Sequence, residues 1–227
     1  MAPEIVFKNK DLVVLNKPAG LLMHGDGRGE ENTLASWLVI NFPEVRNIGD
    51  KPQERPGIVH RLDKDTSGIV LVPRNQEYFE YLKDLFASGK IQKTYLAIVR
   101  GILKTKEGTI NTSISLKPGT TKRTVHGGKM TKSAITLYKV LKEFGGASLI
   151  EVSPKTGRTH QIRVHMASIG HPVLGDTLYG SKKNEEGAPR QMLHAHSIEL
   201  ELEPGRAIRF AADPPVDFET FLKKLEK

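Results

Sequence analysis

Short runs of apolar and β-branched residues punctuate the chain at 12–15, 68–72, 94–99, 134–140, 148–152, 197–202 and 207–211, each the length of a strand. Several alternate apolar with polar positions, which predicts a largely antiparallel sheet with one covered face. Three other stretches carry the helical period together with capping chemistry. Asn75 is placed to cap a helix bearing Phe79, Leu82 and Phe86 and ending at Gly89. Thr159 is placed to cap a second, with Ile162, Met166 and Ile169 on one face and Gly170 then Pro172 closing it. Asp217 precedes Phe218, Phe221, Leu222 and Leu225, the spacing of an amphipathic packing helix. Strands outnumber helices and do not alternate with them strictly, so the predicted fold class is α+β rather than doubly wound. The Pro-, Gly- and charge-rich stretch 41–57 reads as a surface loop.

At 227 residues, with no repeat and no linker between unlike halves, a single domain spanning 1–227 is expected. The absence of cysteine excludes disulfides and thiolate metal sites and fits a reducing compartment. The first residues, MAPEIVFKNKDLVVLNK, carry charge early and lack a long apolar core. Neither a signal peptide nor a membrane span is predicted, and a soluble, cytoplasmic monomer is expected. Lysine and arginine number 34 against 26 aspartates and glutamates, a net charge of +8. Such an excess suits a polyanionic partner, because neutralising phosphates releases counterions. The charge is unevenly spread. Residues 108–142 contain no acid, yet hold Lys117, Lys122, Arg123, Lys129, Lys132, Lys139 and Lys142. An RNA-facing hairpin and an ordinary solvated one both fit that pattern.

The most reactive pattern is GIVHRLDKDTSGIVLV at 57–72, where Asp63 lies among His60, Arg61 and Lys64. Their positive potential is expected to favour an ionised Asp63, able to act as nucleophile or base. Thr66, Ser67 and Gly68 form the bend into the next strand.

A second block, TGRTHQIRVHMASIGHPVLGDTLYG at 156–180, gathers histidines and arginines around a helix start. Arg158, Thr159 and His160 at that end suit an anion such as phosphate or carboxylate. His160 and His165 are five residues apart and do not share a helical face, so no metal site is expected. Arg163 lies on an otherwise apolar face and requires an anionic partner to be tolerated there. Asp63 is the partner expected, in a pair worth on the order of 4 kcal/mol at about 4 Å before desolvation. Tyr95, in KTYLAIVRG, stands on a strand, where tyrosine ordinarily belongs to the core.

The 57–72 block resembles the signature of the RluA-type family of RNA pseudouridine synthases. The QIRVH and KTY segments, NKPAGLLMH at 16–24 and LHA at 193–195 extend the resemblance over most of the chain. It implies a mixed, largely antiparallel sheet flanked by helices with a central cleft. It further implies isomerisation of uridine to pseudouridine in structured RNA, without a cofactor. Asp63, Tyr95 and Arg163 match the family's catalytic positions, with Arg163 paired to the aspartate and Tyr95 stacked on the target base. Arg61 matches an arginine beside the flipped nucleotide, and Leu193 a residue near the cleft for which core burial is the plainer role. His60, Arg123, Arg158 and His160 are the further candidate RNA contacts. Many members carry an additional N-terminal RNA-binding domain, which is not expected here. The acid-free hairpin is most similar to members acting on large-subunit ribosomal RNA, with transfer RNA as the alternative target. A nucleoside or glycoside hydrolase also works on a glycosidic bond, with Asp65 as its second carboxylate. A noncatalytic RNA-binding module accounts for the charge but not for Asp63.

Overall fold

The computed structural model describes residues 2–25, 32–180, 187–203 and 205–227. In chain order the elements are β1 (Glu4–Lys8), β2 (Leu12–Lys17), α1 (Leu34–Asn41), a 3-10 turn (Pro43–Asn47), β3 (Ser67–Pro73), α2 (Gln76–Ala87) and β4 (Gln92–Arg100). Then follow β5 (Glu107–Asn111), β6 (Ile114–Leu116), β7 (Arg123–Thr124), β8 (Lys129–Lys132), β9 (Ile135–Glu143) and β10 (Ala147–Pro154). The chain closes with α3 (Gln161–Ser168), β11 (Leu193–Glu203), β12 (Arg206–Ala211) and α4 (Val216–Leu225). This is the α+β content expected. The chain divides into two compact units, Met1–Gln92 with Ala195–Asp213, and Lys93–His194 with Pro214–Lys227.

In the first unit β1, β2, β3 and β11 lie side by side, with β12 on the flank of β11. The β1/β2, β2/β3 and β11/β12 ladders are antiparallel. Leu12, Val13, Val14 and Leu15 are all completely buried, so β2 is covered on both faces and needs no alternation. Leu12, Val14, Ile69 and Leu71 meet Leu82 and Leu85 of α2 in one core. The expected cap holds: the Asn75 side chain accepts the Tyr78 amide proton at 2.8 Å. Gly89, at φ 71°, ends the helix, and the Lys90 amide bonds back to the Leu85 carbonyl at 3.0 Å.

Two features of this unit depart from the expected pattern. The segment LASWLVIN forms α1 behind a Thr33/Ser36 capping box, although it is apolar all round and has no helical stripe. The stretch 41–57 is not simply a surface loop, because its 3-10 turn buries Val45 and Ile48 follows it inward.

In the second unit the strands run β4-β10-β9-β5, all antiparallel, and a small sheet β7-β6-β8 carries the basic hairpin. Ala97, Val99, Ile150 and Val152 pack with Ile162 and Met166 of α3. A neighbouring cluster joins Ile98 and Met192 to Phe218 and Phe221 of α4. Asp217 lies inside the first turn of α4, not ahead of it, and pairs with Arg190 at 2.6 Å.

Candidate active site

In the first unit, Asp63 stands on a turn closed by the Thr66 amide, which donates to the Asp63 carbonyl at 3.1 Å. The neighbours set its exposure: Leu62 is buried, Arg61, Lys64 and Asp65 are exposed, and Asp63 is intermediate. A lysine holds this turn from beneath. Lys17, at the end of β2, is fully buried, and its Nζ donates to the carbonyls of Pro18, Leu21 and Lys64, each at 2.9 Å. An ammonium has three protons to give, and here three backbone carbonyls receive them, which makes burial of the charge tolerable. The Gly20 amide adds a bond to the same Lys64 carbonyl at 3.0 Å. The NKPAG turn is thus tied to the residue after Asp63.

Gly68 begins the exit from that turn at φ 117°, and a Cβ there would be driven into the backbone of Ala195 on β11. Only glycine permits both the dihedral and the approach. His60 is a correction to the sequence reading. Its Nε2 accepts the Leu71 amide proton at 2.8 Å, and its ring stacks on Phe86 at 4.7 Å. A nitrogen accepting an amide proton carries none itself, so His60 buttresses β3 as a neutral ring and does not supply positive potential.

In the second unit, α3 presents Arg163, which is only 8% exposed. An arginine on this face requires an anionic partner, and Asp176, which lacks an obvious pairing in the sequence, provides one. Asp176 binds it in a fork, Nε to Oδ2 at 2.7 Å and Nη2 to Oδ1 at 2.9 Å. Burial pushes the Asp176 carboxyl up, but the Arg163 bond and charge and the amides of Tyr179 and Leu178 outweigh it, holding its pKa below the ordinary value. The signal was present: GDTLYG lies in the same block, just past the helix that carries Arg163.

Tyr179 extends this network. The Arg163 guanidinium lies over its ring at 5.2 Å. Its hydroxyl accepts the Arg123 amide proton at 2.8 Å and shares a hydrogen bond with His160 Nδ1 at 2.8 Å. The basic hairpin is therefore tied through Tyr179 to the start of α3.

The expected cap of α3 is also corrected. His160, not Thr159, is the N-cap, in the left-handed conformation at φ 56°, and its side chain makes no capping bond. The loop ahead of it is organised by Gln161 instead. Its Oε1 accepts from the Thr156 hydroxyl at 2.7 Å and the Arg158 amide at 2.9 Å, while its Nε2 donates to the Ile135 carbonyl at 2.9 Å. Buried His165 has both nitrogens engaged, by Thr136 and Thr112, each at 2.9 Å. Lys93 reaches the Thr156 carbonyl at 3.4 Å, and burial, followed by the charges of Arg158 and Lys155, pushes its pKa down.

Tyr95 lies on β4 opposite Val152 and is partly buried against a cluster that includes Leu193 and Ile162. Leu193 is 4% exposed and belongs to that core, so its packing role is plain. These elements provide a half-exposed carboxylate on a braced turn in one unit. The other provides a buried, forked guanidinium, a tyrosine at a core edge and a basic hairpin.

The sequence profile described as RNA pseudouridylate synthase matches residues 11–168. The chain belongs to this family. Asp63, Tyr95 and Arg163 fall inside the matched span, whereas Asp176, Tyr179 and Leu193 follow it. Ribosomal large subunit pseudouridine synthase D of Borreliella burgdorferi is 34% identical over 223 residues, covering 98% of this chain and 68% of that protein. The Zymomonas mobilis protein of the same name is 37% identical over 233 residues, covering 98% and 72%. Among solved structures, human RNA pseudouridylate synthase domain containing 1 superposes with a TM-score of 0.77 at 28% identity, over 94% of this chain and 84% of that one. As an RNA pseudouridine synthase, the protein is an isomerase with the fold of that family. The match does not favour the hydrolase alternative. Among the described residues, no helix is long and apolar enough to cross a membrane.

Proposed function

We propose that this pseudouridine synthase acts on a uridine of large-subunit ribosomal RNA, as a cytoplasmic monomer, with Asp63 as its reacting carboxylate. The observation that carries the target is the likeness, across 98% of the chain, to enzymes named for the ribosomal large subunit. The reaction breaks the bond from ribose to a ring nitrogen, turns the uracil and rejoins it through carbon. Nothing is oxidised and no group is added, so a single ionised carboxylate acting as nucleophile or base suffices. Support for Asp63 comes from its half-exposed position on a turn braced by Lys17.

In this reading Arg163 supplies the positive charge the reaction needs, Asp176 fixes the orientation of Arg163, and Tyr95 stacks on the uracil, above the core that includes Leu193. The uridine leaves its stack at a cost of about a few kcal/mol, and exposed Arg61 occupies the space it leaves. Arg123, Arg158 and His160 hold the flanking backbone.

The test is incubation of the purified protein with transcripts of large-subunit ribosomal RNA and of transfer RNA, followed by mapping of pseudouridine after chemical derivatisation. Pseudouridine in the ribosomal transcript is expected. Modification confined to transfer RNA would reject the target, and release of free uracil would favour a hydrolase.

A further inference from the structure

Beside the start of α3, the second unit contains a cavity of about 160 Å³ lined by Arg123 of β7, Lys132 of β8, and Gly157, Arg158 and Thr159 of the loop before α3, with Ile114 contributing apolar wall. Cations from three separate segments converge there, and among the described residues no carboxylate lines the cavity. The sequence accounts for this in part, because the whole stretch 108–142 lacks an acid.

Two of the cations are held in place. Arg158 donates from Nε to the Ser133 carbonyl at 2.9 Å, and the Arg123 backbone is fixed by the Tyr179 hydroxyl at 2.8 Å. The Arg123 Nε is buried and has no hydrogen-bond partner among the described residues. A buried charged donor without an acceptor is costly, and it is tolerated where an anion completes it. A guanidinium fork suits the oxygens of phosphate, while an exposed lysine adds a mobile point charge. Since a water takes about 30 Å³ in the liquid, the space admits one phosphate group with a few waters.

We propose that this cavity seats one backbone phosphate of the RNA substrate, bound by Arg123, Lys132 and Arg158 with the Thr159 hydroxyl. The proposal rests on the reading of the protein as an RNA-modifying enzyme and adds the place where the backbone is gripped. The phosphodiester is a better occupant than a free anion, because two of the three cations come from a hairpin that continues into exposed Lys129 and Lys122. A chain of phosphates can follow that row.

The experiment measures the affinity of the full chain for an RNA transcript in which it forms pseudouridine, as a function of salt. It compares the wild type with K132Q, R158Q and the charge reversal K132E. Lys132 is exposed, so its variants are expected to fold, and thermal melting checks R158Q. Each neutral variant is expected to weaken binding about tenfold at moderate salt. The slope of log affinity against log salt should become shallower by about 0.7 to 0.9, the share of one phosphate contact. K132E should weaken binding further. Unchanged affinity and slope in all three variants would overturn the seat while leaving the enzymatic reading intact. If inorganic phosphate protects the wild type but not K132Q against melting, and the RNA slope is unchanged, the cavity takes a free anion and the proposal is overturned. Failure of the wild type to form pseudouridine in any transcript would instead reject the enzymatic reading, and the salt slope on the same RNAs still decides the seat.

Discussion

Arg163 grips Asp176 through two parallel hydrogen bonds, 2.7 and 2.9 Å long, with both side chains withdrawn from solvent. A planar fork meeting a carboxylate in this way fixes the guanidinium in direction as well as in charge. Asp176 is itself held by the Leu178 and Tyr179 amides at 2.9 and 3.1 Å, so the orientation of Arg163 is set by the GDTLYG turn.

Replacing Asp176 with asparagine keeps the shape but removes the negative charge from the buried fork. Loss of one partner of a buried pair costs about 3 to 5 kcal/mol, and the lower end is expected here because asparagine still accepts one bond. Asp217→Asn should cost far less, on the order of 1 kcal/mol, since its carboxylate is 38% exposed where it meets Arg190. Urea unfolding of the two variants beside the wild type makes the comparison. Equal losses would show that the buried fork is no stronger than a pair whose carboxylate is partly exposed.

His165 predicts how stability responds to mild acid. Burial pushes its pKa below 6.5, more than its bond with the Thr112 carbonyl raises it. The unfolded chain therefore takes up a proton that the folded chain resists, and stability present above about pH 6.5 declines as the pH falls. Asp176 adds a second decline at lower pH, because its folded pKa lies below 3.8. Its contribution is complete above that value and is lost as the pH drops through the lower folded value. Unfolding free energies at about pH 7.5 and about pH 5 should differ more in the wild type than in His165→Gln. The same difference in both proteins would remove His165 as the cause.

Gly68→Ala meets two obstacles, the φ of 117° and the backbone of Ala195. A destabilisation on the order of 3 kcal/mol is expected, with β3 and β11 forced apart where the Asp63 turn enters β3. A melting temperature within a degree or two of wild type would show that the strands accommodate the methyl group.

Lys17→Met takes three hydrogen bonds from backbone carbonyls, of which only that of Lys64 keeps a second donor, the Gly20 amide, and each lost bond is worth about 1 kcal/mol or more. Since one of them belongs to Lys64, the turn carrying Asp63 is expected to loosen. Single-turnover pseudouridine formation should then slow by at least about tenfold at saturating RNA, beyond what the fraction of folded protein explains. A normal rate from the folded fraction would make Lys17 a purely structural lysine.

Part of this structure is legible in the sequence. The helix after Asn75 was legible because cap, stripe and terminal glycine agreed, and they are local features. The segment 34–41 was not, because a short helix that keeps apolar residues such as Ile40 on its exposed side, as well as Leu34, Ala35 and Leu38 on its buried one, has no period to detect. The α3 cap was misplaced because Thr159 is a good capping residue by type, whereas tertiary bonds from Gln161 set the loop and left His160 in the left-handed conformation. For Arg163, the need for a carboxylate was readable from an arginine on an apolar face. Which carboxylate takes the fork depends on where the chain folds back after α3, and that is not a local property. Lys17 showed no sequence signal of burial, since a lysine closing a strand ordinarily reaches solvent.

If the side chain at position 63 carries the chemistry, as proposed, its neutral variant must lose turnover and keep RNA binding. The direct measurement compares the wild type with Asp63→Asn on one ribosomal transcript, recording pseudouridine formed in a single turnover together with affinity for the RNA. The variant is expected to bind within about threefold of wild type and to form pseudouridine at least about a thousandfold more slowly, the loss of roughly 4 kcal/mol of transition-state stabilisation. Pseudouridine appearing at near the wild-type rate in Asp63→Asn would contradict that role.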